Sequence, residues 1–450
     1  MTWLVKVSSF VLLYLHCASC DVIDAEVIDA VPADISTEPP VIFDKDRAGI
    51  ESIKYDGAQL WRIAYSEQEY KNAVAELQKQ FQVSMWNLQM TNITQPYVDM
   101  FVKSAMVDDA RSFLENVRVP FDVVINDIQE AINNENPPLD DTDLWQNRNG
   151  HPMTWTSYHR LTDIFGYLDY LTKTFPDLCS QQEIGKSIQG RPLKVLRVSN
   201  GNPTNKAIWI DGGIHAREWI SPAVVTFIID SFAENWNEQS QDIQNIDWYF
   251  LPVMNVDGYE YSHTNDRLWR KNRRRNSVCT GVDLNRNYGY KWGGQGASRQ
   301  PCAETFAGSS AFSEPETKAV RDFLVKSAAN FKASLSFHSY GQYILYPWGY
   351  DRKVPPDHAD LDAVGKEAAE AMKKVSGFHY TVGPAGSSLY PASGGSDDWA
   401  KGTMKFKYSY TVELRDTGRH GFMLPADQII SSGQETMAFM RVIAKAVSKA

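Results

Sequence analysis

Polar and apolar positions alternate in some stretches of this chain and recur at helical spacing in others. Near the start, "AQLWRIAY" (58–65) alternates as a strand does, and "SEQEYKNAVAELQKQF" (66–81) has helical periodicity behind Ser66. A further strand and helix pattern closes with "DVVINDIQEAI" (122–132). Together these predict a small α/β domain over about 47–137, followed by a polar linker. Beyond Arg148 the pattern becomes alternating strand and helix. "AIWIDGG" (207–213), "DWYFLPVMN" (247–255), "FKASLSFH" (331–338) and "YSYTVEL" (408–414) read as strands, and 221–236, 313–327 and 360–376 read as helices. Ser221 before Pro222 predicts an N-cap and first-turn proline, Ser313 with Glu316 a capping box, and Gly377 a left-handed helix stop. Such alternation predicts an α/β domain on a largely parallel or mixed sheet, with its chemistry at the carboxyl ends of the strands.

The segments outside these domains are polar or short. Lys6, the apolar run Val11, Leu12, Leu13 and Leu15, and the small residues Ala18 and Cys20 read as a secretory signal over 1–20. Residues 21–46 are acidic and lack an aromatic until Phe43, the pattern of a flexible, solvated leader. The linker, 138–148, ends at Arg148 between two asparagines, an accessible place for proteolysis. In a secreted chain Asn92-Ile93-Thr94 is a glycosylation sequon.

Composition narrows the possibilities. The 450 residues are 43% hydrophobic, enough for a large core, and carry a formal charge of −10 with pI near 5.5. That balance argues against a nucleic-acid partner, and no apolar run approaches the roughly 20 residues needed to span a bilayer. The basic run "RLWRKNRRRN" (267–276) is therefore no nucleic-acid patch; Arg273, Arg274 and Arg275 read as surface charge. Removal of the signal leaves Cys179, Cys279 and Cys302. The last two flank a glycine-rich loop that a disulfide could close in an oxidising compartment. Cys179 reads as a buried small side chain.

The chemistry begins at "GGIHAREWISP" (212–222), just past a strand. His215 and Glu218, three apart in a tight turn, suit a divalent metal, and His338 at the end of "SLSFH" would complete a His, Glu, His set. Asp283 is the natural acceptor for a ligand histidine's other N–H. Glu413, between Val412 and Leu414, is a carboxylate in apolar surroundings: a general base, or else half of a salt bridge to Arg415.

In chain order, HAREW, RLWRKN, DLNRN, SFHSYGQYILYPWGY, YPASGGSDDW and ELRDTGRHGF resemble the zinc metallocarboxypeptidases of the pancreatic carboxypeptidase A/B family, and most of all its digestive, basic-specific branch. The resemblance runs from about Asn149 to the end and, more weakly, through 47–137. It implies a central mixed, mostly parallel sheet flanked by helices over 149–450, preceded by an open-sandwich prodomain that covers the cleft until a trypsin-like protease cuts near Arg148. It implies one Zn²⁺ on His215, Glu218 and His338, Glu413 as base and Arg270 facing the oxyanion. Asn285 and Arg286 would hold the substrate's terminal carboxylate, Tyr390 would close over it, and Arg217 would touch a substrate carbonyl. A Cys279–Cys302 disulfide is implied as well. The substrates would be peptides with a free C-terminus, met by a secreted monomer, for instance in the gut lumen. Asp397 would lie at the base of the pocket for the departing side chain and select Lys or Arg, although Gly349 is small where basic-specific relatives carry a hydroxyl. The alternatives are a preference for apolar C-terminal residues and a catalytically dead peptide-binding relative; the presence of Glu413, Arg270 and all three ligand candidates argues against the latter.

Overall fold

Period-two alternation in the first strand buries side chains on both of its faces. A computed structural model describes residues 52–90, 95–138, 151 and 153–450. The expected signal, acidic leader, sequon at Asn92 and processing residue Arg148 lie outside them. In the small domain, β1 (Gln59–Ala64), α1 (Gln68–Phe81), β2 (Ser84–Gln89), β3 (Tyr97–Val102), α2 (Val107–Asn116), β4 (Phe121–Ile125) and α3 (Ile128–Glu135) follow one another. The four strands form an antiparallel sheet in the order β2-β3-β1-β4. Trp61 and Ile63 turn toward α1 and α2, packing with Val74, Leu77, Ala110 and Leu114. Leu60 points the other way, into a cluster with Leu268, Tyr340 and Phe422 of the large domain. The sheet is thus sandwiched between its own helices and the larger domain.

The large domain contains β5 (Cys179–Lys186), β6 (Pro192–Val198), β7 (Lys206–Asp211), β8 (Ile246–Leu251), β9 (Asn330–Ser339), β10 (Tyr343–Tyr346), β11 (Thr381–Pro384) and β12 (Tyr408–Leu414). Their order in the sheet is β11-β10-β12-β9-β7-β8-β6-β5. The centre, β12-β9-β7-β8, is parallel, while β10 against β12 and β6 against its neighbours are antiparallel. Helices α4 (Leu161–Thr174), α5 (Ile220–Ala233), α6 (Val256–Thr264), α7 (Pro315–Lys326), α8 (His358–Ser376), α9 (Ser396–Gly402) and α10 (Ile429–Lys449) surround it. Buried on both faces, the central strands are nearly continuous apolar runs, as in Ile208, Trp209 and Ile210.

Two helix starts differ from expectation. Ser221 lies inside α5, because Trp219 already has helical dihedrals (φ −61°, ψ −29°) and caps through no side chain. The Ser221 hydroxyl instead donates to the Phe337 carbonyl (2.6 Å) and accepts from Gly213 N–H (2.9 Å), satisfying two buried backbone groups at once. Ser313 donates to Glu314, the residue at the cap position of α7, while Glu316 accepts from Ile188 N–H at 2.9 Å; there is no capping box. Gly377 does end α8 in a left-handed conformation (φ +81°) and donates to the Lys373 carbonyl. The arginine run is also more engaged than expected. Arg273 lies over the Tyr261 ring (3.4 Å), and Arg274 pairs with buried Glu314. Cys279 and Cys302 are disulfide-bonded, and buried Cys179 has its thiol pushed up to about 12 by burial.

Candidate metal centre and active-site cleft

The turn after β7 must reverse the chain within a packed interior. Gly213 has φ +62°, and a Cβ there would meet the Pro222 ring at 2.9 Å. A Cβ on Gly212 would press at 3.0 Å against the Pro252 carbonyl, Ser221 and Val225. This close backbone delivers His215 and Glu218 to the end of β9, where His338 stands. All three are buried. His215 Nδ1 lies 2.8 Å from Glu218 Oε1 and 3.2 Å from His338 Nδ1, and His338 Nδ1 lies 3.1 Å from Glu218 Oε2.

Hydrogen-bond direction tells what this cluster can hold. Asp283 accepts from His215 Nε2 (3.2 Å), and from Arg270 Nε and Nη2 (3.2 and 2.9 Å). Burial opposes its charge, but Arg270, Arg286 and His215 keep the carboxyl well below the usual range. An ionised carboxylate only accepts, so His215 carries its hydrogen on Nε2 and presents the Nδ1 lone pair inward. On the other side Ser336 Oγ lies 3.2 Å from His338 Nε2 and 2.7 Å from Asp211 Oδ1. Two inward imidazole nitrogens and a carboxylate, with donor atoms within 4.8 Å of one another, repel unless a positive charge sits among them. Burial opposes protonation of His338, yet neighbouring Glu218 pushes it up to about 9. The pocket attracts cations, and its N, N, O donor set suits zinc with a coordination position left for water or substrate.

The same cleft is lined by Arg270, Asn285, Arg286, Gly349, Tyr390, Asp397 and Glu413. Glu413 on β12 is in register with His338 on parallel β9. Burial pushes its carboxyl up to about 7, with His338 opposing and Glu218 adding to the rise. Arg415 is not its partner. It pairs with buried Glu435 on α10 and also reaches Gln428 and Ser431. Arg286 is buried and held by the carbonyls of Asn285 (2.8 Å) and Gly296 (2.9 Å); Asn285 Oδ1 accepts from Ser396 N–H. Tyr390 is 41% exposed at the mouth. Asp397 is buried at the start of α9, with Gly395 and Gly349 beside it. Both oxygens of adjacent Asp398 are taken by the Gly349 and Tyr350 N–H groups (2.8 and 2.7 Å).

Arg217, expected at the substrate, stands back from this lining. Its Nη1 donates to the Leu268 carbonyl (3.3 Å) and faces Glu304 (3.4 Å), and its guanidinium lies over Phe422. A buried guanidinium requires such acceptors, and two segments distant in sequence, at Leu268 and Glu304, supply them.

Sequence reasoning passed over two groups. Trp86 and Asn87 of β2, from the small domain, line the cleft; Trp86 stacks on Phe101 and packs on Phe422. Around them, Arg62 forms a double hydrogen bond with Asp99 and reaches the Thr417 carbonyl (2.6 Å), Tyr340 donates to Asp99 (3.2 Å), and Arg267 pairs with Glu135 of α3 (Nη2–Oε2 2.7 Å). No local motif marks such contacts between distant segments. The second group is Ser336 with Asp211, for which a signal existed: Ser336 lies two residues before His338, and Asp211 is the polar end of an apolar strand.

With this geometry in view, comparison with known proteins defines the class. Residues 164–439 match the zinc carboxypeptidase family, and residues 61–135 match the carboxypeptidase activation peptide. The chain belongs to the zinc carboxypeptidase family, and it carries its own activation-peptide domain. It is 45% identical over 298 residues to carboxypeptidase B of Astacus astacus (66% of this chain, 98% of that one). It is 39% identical over 389 residues to carboxypeptidase A1 of Bos taurus (84% and 91%). Among solved structures it is similar to thrombin activatable fibrinolysis inhibitor, with TM-score 0.79 and 33% identity over 88% of this chain and all of that one. The protein is a zinc-dependent metallocarboxypeptidase in zymogen form.

Proposed function

We propose that the enzyme removes single C-terminal residues, preferring Lys and Arg, and that His215, Glu218 and His338 hold its zinc. The observation that carries the preference is the Asp397 carboxylate, buried in the cleft wall beside two glycines while Asp398 is consumed by backbone N–H groups. A buried carboxylate favours a cationic side chain and disfavours apolar ones. Zinc, when bound, polarises the scissile carbonyl and acidifies the attacking water.

The chain's own groups do the rest. Arg286, with Asn285, takes the terminal carboxylate, which a planar, permanently charged guanidinium can grip with two donors. Tyr390 covers it from the mouth. Glu413 accepts the proton of the attacking water and passes it to the departing amine. Arg270, fixed by Asp283, directs donors at the developing oxyanion, an interaction worth roughly 10²–10³-fold in rate. Trp86 and Asn87 block the approach of a peptide until the linker is cut near Arg148 by a trypsin-like protease. The mature enzyme, 149–450, acts as a secreted monomer, with 47–137 as its detachable inhibitor.

A second reading, preference for apolar residues, draws on Leu345, Ala392 and Gly349 in the lining. Trypsin-treated, zinc-loaded protein assayed on peptides ending in Arg, Lys, Phe or Leu decides between them. Faster release of Phe and Leu than of Arg and Lys would reject the basic preference.

A further inference from the structure

We propose that Ser336 and Asp211 are a positioning pair that sets the tautomer and orientation of His338 for the metal; this rests on His338 being a zinc ligand. The strands place the three groups in line. Asp211, the last residue of β7, is in register with Ser336 of β9. Ser336 and His338, two residues apart on one strand, share a face. Ser336 Oγ is 2.7 Å from Asp211 Oδ1 and 3.2 Å from His338 Nε2, and all three residues are buried.

The direction of the chain follows from its far end. The Trp209 indole, which can only donate, gives its N–H to Asp211 Oδ2 at 2.8 Å. Ser336 gives its single hydrogen to Oδ1. The serine oxygen therefore meets His338 as an acceptor and Nε2 carries a hydrogen, so that in the neutral ring a metal requires, the lone pair is on Nδ1, the nitrogen that faces Glu218 and His215. His215 is oriented directly by a carboxylate; His338 is oriented through a serine. Asp211 is also a buried carboxyl whose hydrogen-bond partners Ser336 and Trp209 are uncharged, so its charged form is costly unless a cation lies nearby. A metal on His338 supplies that charge at the other end of the chain.

Substitutions at both links test this in the full-length chain. Zinc affinity is measured by competition with a chelator, and ligand geometry by the visible spectrum of the cobalt(II)-substituted protein. Ser336→Ala should weaken zinc binding by about 10–100-fold and shift the cobalt spectrum, while the metal-free chain still unfolds in one cooperative step at a somewhat lower midpoint, because Asp211 loses a hydrogen bond. Asp211→Asn should be at least as harmful. Its amide oxygen must face Trp209, so its NH₂ faces Ser336 and turns the serine hydrogen toward His338, favouring the wrong tautomer. Wild-type affinity together with an unshifted cobalt spectrum in Ser336→Ala would overturn the pairing. His338→Ala is the control: if it too keeps wild-type affinity, the ligand assignment itself is wrong.

Discussion

Arg415 gives its guanidinium to Glu435 on α10, so Glu413, two residues earlier on the same segment, keeps an unpaired carboxylate in the cleft. The two acids have opposite duties, and substitution should separate them. Glu413→Gln should lower kcat by about 10²–10⁴-fold without lowering the urea midpoint above pH 7, since it replaces an unpaired buried charge with a neutral group. Arg415→Met should instead cost about 3–5 kcal/mol of stability, because it leaves Glu435 buried without its cation. Steady-state kinetics and urea unfolding of both variants check this.

Specificity is the second expectation. Asp397→Ala should reduce kcat/KM for an Arg-ended peptide by roughly 30-fold or more, the loss of about 2–5 kcal/mol typical of removing one partner of a buried charge pair. Phe-ended peptides should lose nothing. An Arg preference that survives the substitution would sink the pocket assignment.

The contact between the small domain and the 416–421 loop should govern latency. Arg62 holds Asp99 and the Thr417 carbonyl, and Tyr97 also donates to that carbonyl. Arg62→Ala leaves Asp99 buried without its guanidinium, and should raise hydrolysis of Arg-ended peptides by the uncleaved chain. After cleavage and separation of the small domain, its rate should equal that of wild type, since Arg62 departs with the prodomain. Assays before and after trypsin treatment provide the comparison.

A buried acid outside the cleft should shape stability against pH. Burial pushes Glu316 up to about 7, against a model-compound value of 4.5, although the Ile188 N–H bond opposes the rise. The folded state thus holds a proton that the unfolded chain releases, so this contribution is complete below about pH 4.5 and is lost as pH rises through 7. The difference corresponds to about 3 kcal/mol. Glu316→Gln keeps the hydrogen-bonding shape without the charge, and should flatten the fall in stability between pH 5 and 8 in urea titrations.

The legible parts of the molecule were those written locally. Alternation in "AQLWRIAY" and the apolar run of "AIWID" marked strands, and Gly377 marked the end of α8. His215 and Glu218, three apart in a glycine-assisted turn, mark half of the His, Glu, His group that could hold a metal. Ser221 and Ser313 have the residue type of an N-cap but cap no helix, because a hydroxyl that fits an N-cap also fits other buried acceptors, here the Phe337 carbonyl and the Glu314 carboxylate.

By itself, the sequence determined which side chains are available and which face of each strand or helix carries them, since period and turn chemistry act over a few residues. Only the tertiary structure decided which of them meet. It brought His338 to His215 across 123 positions, gave Arg415 to Glu435 rather than to Glu413, turned Arg217 toward Leu268 and Phe422, and laid Trp86 over the cleft. These choices depend on which buried charges and polar groups compete for one another after the sheet has formed, a competition settled by distance in space that spacing along the chain does not encode.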